Sequence, residues 1–241
     1  MKPSIKFRAS SMGKLMTEPR SKSEGPLSVG AKTYIRKLVA QDIFGVEFEI
    51  GGKQLEKGIR CEDHGIALLN RVRGLSLVKN TERREDEHFT GEADLFDASR
   101  RRGHDLKCPW SAATFPIALA DCYDKDYEWQ MRTYMALWDA DEWEVDYTLV
   151  NTPDDLIGYE SHDMHIVDHV PERMRLTSWV IPRDRSLEDA MREKTRHAAA
   201  YYAEVLAEFD RTHGAALVAA ATATTRAAST APADLPADIF G

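Results

Sequence analysis

At 241 residues, 43% hydrophobic and 30% charged, the chain has the size and composition of one soluble globular domain, and no apolar run is long enough for a membrane span. A net charge of −8 argues at first against a nucleic-acid partner, yet residues 1–40 hold nine Lys/Arg against Glu18 and Glu24, a net of +7, so the remainder carries −15. Local basic patches on an acidic protein still grip phosphates, and an acidic excess is partly what a metal site requires.

Residues 1–27 read as an irregular basic arm, because Pro3, Pro19, Gly25 and Pro26 interrupt any long helix. Ser28 is placed to cap a helix over 29–44, with Tyr34, Leu38 and Ile43 at helical spacing and Gly45 as its stop. Phe48 and Ile50 predict a short extended piece ending at Gly51-Gly52. A second helix is expected over 55–73, buried through Ile59, Ile66, Leu69 and Val72. From 78 to 107 the pattern is that of β-hairpins with bends at Gly91 and Gly103, and 110–119 is a loop running into a short helix.

An amphipathic helix follows over 127–138, carrying Trp129, Tyr134, Leu137 and Trp138. Residues 145–150 alternate like a strand broken at Thr152-Pro153, and 157–167 predict another. Ser186 with Asp189 resembles a capping box that opens a long helix to about Arg211. The Ala/Thr/Pro-rich stretch 214–241 is expected to be a flexible tail behind a single domain over 1–213. Its end, Ala233 to Gly241, mixes acids with apolar residues and is read as inert rather than as a docking peptide. Helices on both sides of a central group of strands predict an α/β or α+β class.

The chemistry concentrates in Thr90-Gly91-Glu92-Ala93-Asp94-Leu95 and His104-Asp105-Leu106-Lys107-Cys108-Pro109. In a strand, Asp105 and Lys107 share a face while Leu106 points into the opposite layer. With Asp94 on the neighbouring strand of a hairpin, two carboxylates and an ammonium converge, able to hold divalent metal and set a cation beside a phosphate. The tripeptide alone is weak, since charged strands produce it by chance. Glu62 on an upstream helix and Gln130 on a downstream one supply a third carboxylate and an amide facing the same place.

Together these stretches resemble the lambda-exonuclease/YqaJ-like phage recombination exonucleases of the PD-(D/E)xK nuclease superfamily. The likeness rests on Glu56-Lys57-Gly58-x-x-x-Glu62, Thr90-Gly91-x-x-Asp94-Leu95, Asp105-Leu106-Lys107-Cys108-Pro109 and Tyr127-x-x-Gln130, with Tyr134-Met135 and Leu149-Val150-Asn151-Thr152-Pro153 beyond. It runs in order over roughly residues 5–210. The resemblance implies a restriction-endonuclease-like α/β core, a central mixed sheet flanked by helices. It makes Asp94 and Asp105 metal ligands, adds the Leu106 carbonyl, and gives Glu62 a second metal or its water. Lys107 would orient or deprotonate the attacking water, or stabilise a phosphorane-like transition state; Gln130 would support a ligand or the phosphate.

The implied cofactor is Mg²⁺, two ions, with Mn²⁺ able to substitute. The implied activity is 5′→3′ resection of linear double-stranded DNA, leaving 3′ overhangs for a single-strand annealing protein in phage-type recombination. The same likeness implies a homo-oligomeric ring trimer in the cytoplasm of a bacterial host, partnered by DNA ends and a single-stranded-DNA-binding protein, with no membrane role. A structure-specific or restriction-type endonuclease, and a catalytically inactive DNA-binding assembly protein, are the alternatives. The chain departs from the family pattern in Ala93, where proline is usual, and in Asp105, where glutamate is common; neither removes a required group.

Other residues are weighed against bland readings. Arg8-Ala9-Ser10-Ser11 resembles the segment that family members set near a terminal phosphate, which makes Arg8, Ser10 and Ser11 phosphate contacts or else a plain surface arm. Arg101, in the run Arg100 to Arg102, is a DNA-backbone contact or a solvated hairpin tip. Glu92 shares a face with Asp94, as an auxiliary ligand or a surface acid. His162 and His165, on an expected strand, face opposite sides and are read as non-ligands. Trp129, Trp138 and Trp143 are read as core. Cys61, Cys108 and Cys122 form no CxxC pair, so reduced thiols without structural zinc are expected.

Overall fold

The computed structural model describes residues 5–48 and 51–214. Its seven strands form two sheets rather than one. β1 (Phe7–Arg8) runs parallel to β3 (Phe89–Glu92), which pairs antiparallel with β2 (Arg83–Glu85). The second sheet has the order β4 (Leu95–Asp97), β5 (Arg102–Lys107), β6 (Glu142–Thr148), β7 (Leu176–Pro182). Its central pair β5–β6 is parallel and both edges are antiparallel. The architecture is mixed α/β, with helices flanking two mixed sheets.

The helices begin and end where local chemistry requires. α1 is short, Met12–Leu15. The Ser28 hydroxyl accepts the Ala31 N–H to open α2 (Val29–Phe44), and Gly45 closes it in the left-handed conformation. α3 spans Lys53–Arg73, and Asp124 caps α4 (Lys125–Trp138) by accepting the N–H groups of Asp126 and Tyr127. A single turn, α5, covers Asp154–Ile157, and α6 runs over Arg185–His213. Its cap is Asp184, which accepts from Ser186 and Leu187, not the expected Ser186.

α4 crosses from β5 to β6 and covers one face of the larger sheet, where Met131, Tyr134, Met135 and Trp138 close over Trp143, Val145 and Ile181. α3 covers the other face through Ile66 and Leu69 against Leu95 and Leu106. Trp138 and Trp143 are core as expected, and Trp129 packs at the core edge.

Several expectations change. Residues 5–27 are not an irregular arm: Phe7, Met12, Leu15, Met16 and Leu27 fill a core with α2 and α6. Gly91 and Gly103 are not bends. They lie within β3 and β5, where the rings of Tyr134 and Trp143 pack so close that an added Cβ would stand 2.8 and 2.2 Å from them. Ile66 and Leu69 are buried as expected, but Ile59 is exposed and Val72 half-buried, and Lys57, Cys61, Gly65 and Leu68 complete the buried line of α3. Residues 46–48 form no strand, and Ile50 lies outside the described residues. The expected strand over 157–167 is a helical turn and a 3₁₀ segment, and β7 was not anticipated. The tail expectation falls almost wholly on 215–241, outside the described residues.

Candidate active site

Asp94 sits where the chain leaves the smaller sheet and enters the larger, between β3 and β4. Asn80 holds this crossing: its backbone N–H donates to the Asp94 carbonyl at 2.7 Å and its amide to the Ala93 carbonyl at 2.9 Å. Leu95 pairs with His104, so Asp94 falls beside Asp105 across the β4–β5 hairpin. The Leu106 N–H donates to Asp94 Oδ2 at 2.7 Å. This bond locks one carboxylate to the main chain of the strand that carries the other.

Strand alternation then does what the sequence suggests. Asp105 and Lys107 face α4, while the Leu106 side chain joins the α3 side. Lys107 Nζ stands 2.5 Å from Asp105 Oδ2 and 4.4 Å from the centre of the Tyr127 ring. The ammonium forms an ion pair with Oδ2, a buried oxygen that has no other donor among the described residues. From α4, Gln130 Nε2 donates to Asp105 Oδ1 at 3.4 Å and to the Tyr134 hydroxyl at 3.0 Å. Tyr134 in turn donates to the Glu92 carbonyl at 2.9 Å. From α3, Glu62 reaches the same region with Lys79 Nζ 2.5 Å away. α3 can approach because residue 65 is glycine: a Cβ there would lie 2.6 Å from Thr148 Oγ1.

The electrostatics mark this patch as strained. Burial, and then the charge of Asp105, push the Asp94 carboxyl up to about 7, against weaker opposing pulls from Lys107 and the Leu106 N–H. Burial also raises Asp105, where Lys107 opposes and Asp146 and Glu62 add to the rise. Lys107 is raised: burial works against its charge, but the two aspartates outweigh it. The donors are hard oxygens, and a cation among them would relieve the burial and repulsion that raise both acids. The site therefore fits a divalent metal held by Asp94 and Asp105, with Glu62 joining on release from Lys79.

Other expected positions divide. Arg8 and Ser10 are exposed, and Arg8 has no carboxylate partner among the described residues, while Ser11 is half-buried. Arg101 lies at the far end of β5, paired with Asp141 at 2.9 Å and Asp139 at 3.1 Å. Glu92 is exposed and pairs with Arg83 at 3.0 Å, as a surface acid. His165 is buried and bonds to Thr152, while all three cysteines are free.

Sequence reasoning missed Lys79 and the role of Lys57. The Lys57 ammonium is fully buried and gives its three N–H groups to the carbonyls of Pro109 (2.6 Å), Trp110 (3.1 Å) and Val150 (3.0 Å). It ties the helix bearing Glu62 to the chain just beyond Lys107. The signal was present: Lys57 lies on the helical face of Cys61, Gly65 and Leu68.

Comparison with solved structures places this arrangement. A phage-related exonuclease from Haemophilus somnus 129PT is 36% identical over 86% of this chain and 97% of its own, with a TM-score of 0.81. The chain belongs to the phage-related exonuclease family. It is a nuclease, of the lambda-exonuclease/YqaJ-like kind, with a PD-(D/E)xK core. The alkaline exonuclease LHK-Exo from Laribacter hongkongensis shares the fold at 17% identity, covering 86% of this chain and 92% of that one, TM-score 0.65. Its complex with dAMP gives 18% identity over the same shares and a TM-score of 0.63. No family model and no curated protein matches the chain. No described helix is long and apolar enough to cross a membrane.

Proposed function

We propose that this exonuclease is Mg²⁺-dependent and resects linear double-stranded DNA from its 5′ ends, leaving 3′ overhangs for a single-strand annealing protein in phage-type recombination within the bacterial cytoplasm. The observation that carries the chemistry is the pair of buried aspartates, one fixed to the strand of the other by the Leu106 N–H, with an ammonium beside them. Asp94, Asp105, the Leu106 carbonyl and Glu62 hold the metal ions, two of Mg²⁺ or of Mn²⁺ in its place. Bound there, a divalent cation polarises the phosphodiester and makes its water a stronger nucleophile.

The rest is the protein's own contribution to in-line hydrolysis. In the free protein the two aspartates favour the charged form of Lys107, and as an ammonium it offers positive charge to the transition state. Tyr127 lies against that ammonium and restricts where it points. Gln130, anchored by Tyr134, orients Asp105. Arg8, Ser10 and Ser11 contact the terminal phosphate; the exposure of Arg8 without a counter-ion supports that role. Arg101 is the weakest of the DNA contacts, because two acids already engage it. A ring of three copies, with an annealing protein and a single-stranded-DNA-binding protein as partners, completes the reading.

Incubation with linear and with covalently closed circular DNA, in Mg²⁺ or in EDTA, tests it. Loss of linear DNA alone, only with Mg²⁺, and release of a 5′ label before a 3′ label are expected. Cutting of circles would turn the reading to an endonuclease.

A further inference from the structure

The α3 side of the larger sheet, opposite Asp105 and Lys107, carries a second cluster. His104 from β5 and Glu144 and Asp146 from β6 are 3%, 1% and 0% exposed. One metal-ligating atom from each lies within 4.8 Å of the others, the one such trio among the described residues. The outer oxygen of each carboxylate is already held. Glu144 Oε1 accepts Arg102 Nη1 at 2.5 Å, and Asp146 Oδ1 accepts the Ser178 hydroxyl from β7. The inner oxygens, Glu144 Oε2 and Asp146 Oδ2, stand 3.8 and 2.8 Å from His104 Nδ1. Asp146 Oδ2 is hydrogen-bonded to that nitrogen, whereas Glu144 Oε2 has no hydrogen bond; donors on the outer oxygens that aim the inner ones at one point are how supporting residues orient carboxylates around a metal.

Charge and satisfaction point the same way. Facing the cluster are Arg73 from α3, Arg102 from β5, and Glu142, Glu144 and Asp146 from β6. Three carboxylates against two guanidiniums leave one negative charge when the imidazole is neutral. Burial demands that it be balanced, and a cation among the three side chains would balance it. Glu144 Oε2 points to the same place. It is buried without a hydrogen-bond partner, and Arg73 Nη1 stands 3.4 Å away outside hydrogen-bond alignment. A cation placed among these atoms takes the His104 nitrogen and both inner oxygens.

We propose that His104, Glu144 and Asp146 bind a divalent transition-metal ion, separate from the catalytic cluster, that ties β5 to β6 behind Asp105. One imidazole with two carboxylates suits Zn²⁺ or Mn²⁺ rather than Mg²⁺.

The full chain carrying Asp94→Asn and Asp105→Asn, stripped with EDTA and dialysed against Zn²⁺, isolates this cluster from the catalytic one. Elemental mass spectrometry should find one zinc per chain. Adding His104→Asn, whose amide still donates to Asp146, should remove it while circular dichroism in EDTA stays unchanged. Ser178→Ala should weaken zinc uptake on the order of 10–100-fold. No zinc in the double variant, or zinc retained regardless of His104, overturns the proposal. If His104→Asn does not fold, the Ser178→Ala titration decides, and an unchanged affinity overturns it equally.

Discussion

The two ends of β5 hold charge in opposite ways. At its start, Arg101 pairs with Asp139 and Asp141, Arg183 adds a contact to Asp139 at 2.5 Å, and Arg102 Nε donates to Glu142 at 2.7 Å. Arg183 and Arg101 hold the Asp139 carboxyl, and Arg101 chiefly the Asp141 carboxyl, below the usual carboxylate range. At its other end, burial and mutual repulsion push Asp94 and Asp105 above that range. Acids at the first end are settled by their neighbours. Those at the second are held in a state that only a further cation relieves, which is how a site differs from a structural ion-pair network.

Lys107→Ala breaks the contrast most severely. It removes the one cation among the two aspartates, so cleavage should fall on the order of 10²-fold or more in kcat. Folding, read by circular dichroism, and DNA binding in EDTA should persist. A variant that cleaves at the wild-type rate would sink the assignment.

Next in size is Lys57→Met, which tests whether the site's frame depends on a residue outside it. The Pro109 and Val150 carbonyls would lose their donor at roughly 1–3 kcal/mol each where no water enters, while Trp110 keeps the Thr152 hydroxyl, so a loss of about 2–6 kcal/mol is expected in denaturant unfolding. A midpoint shift below 1 kcal/mol, estimated on the same scale of about 1 kcal/mol per hydrogen bond, would show that water replaces the ammonium.

Such residues show where the sequence was legible. Asp94, Asp105 and Lys107 were readable because strand alternation is strict, and α2 because Ser28 and Gly45 mark both ends. The first 27 residues misled because Phe7, Met12 and Leu15 enter the core from elements too short to display a period. β7 escaped because its burial is graded rather than alternating. Leu156, Ile157 and Val167 imitate a strand, yet they are buried from a helical turn and a loop. The division into two sheets at Asp94 depends on Asn80, whose partners are main-chain carbonyls and leave no trace in residue type. His104 and Glu144 were passed over because they become neighbours only when β5 and β6 pair in parallel.

A smaller effect comes with pH. Asp94 titrates at about 7 in the fold against an ordinary 3.8, so the native state holds this proton more tightly than the unfolded chain. Its contribution to stability is complete below the ordinary value and is lost as pH rises through about 7. In EDTA, the melting temperature of the wild type should therefore fall relative to Asp94→Asn across that window. Mg²⁺, the cation proposed for the ionised acid, should shrink the difference. Parallel curves in EDTA would mean that Asp94 is already relieved without metal.

The smallest change is expected at Arg101. Its partners are exposed, so solvent and salt screen the attraction and the ion pairs add little to stability. Arg101→Ala should leave the melting temperature and the cleavage of long DNA unchanged at moderate salt. A weaker Michaelis constant with steeper recovery at low salt would instead show that Arg101 trades its aspartates for phosphates when DNA arrives. In that case the paired end of β5 belongs to the substrate path as well, and a settled ion pair in the free protein no longer separates structure from function.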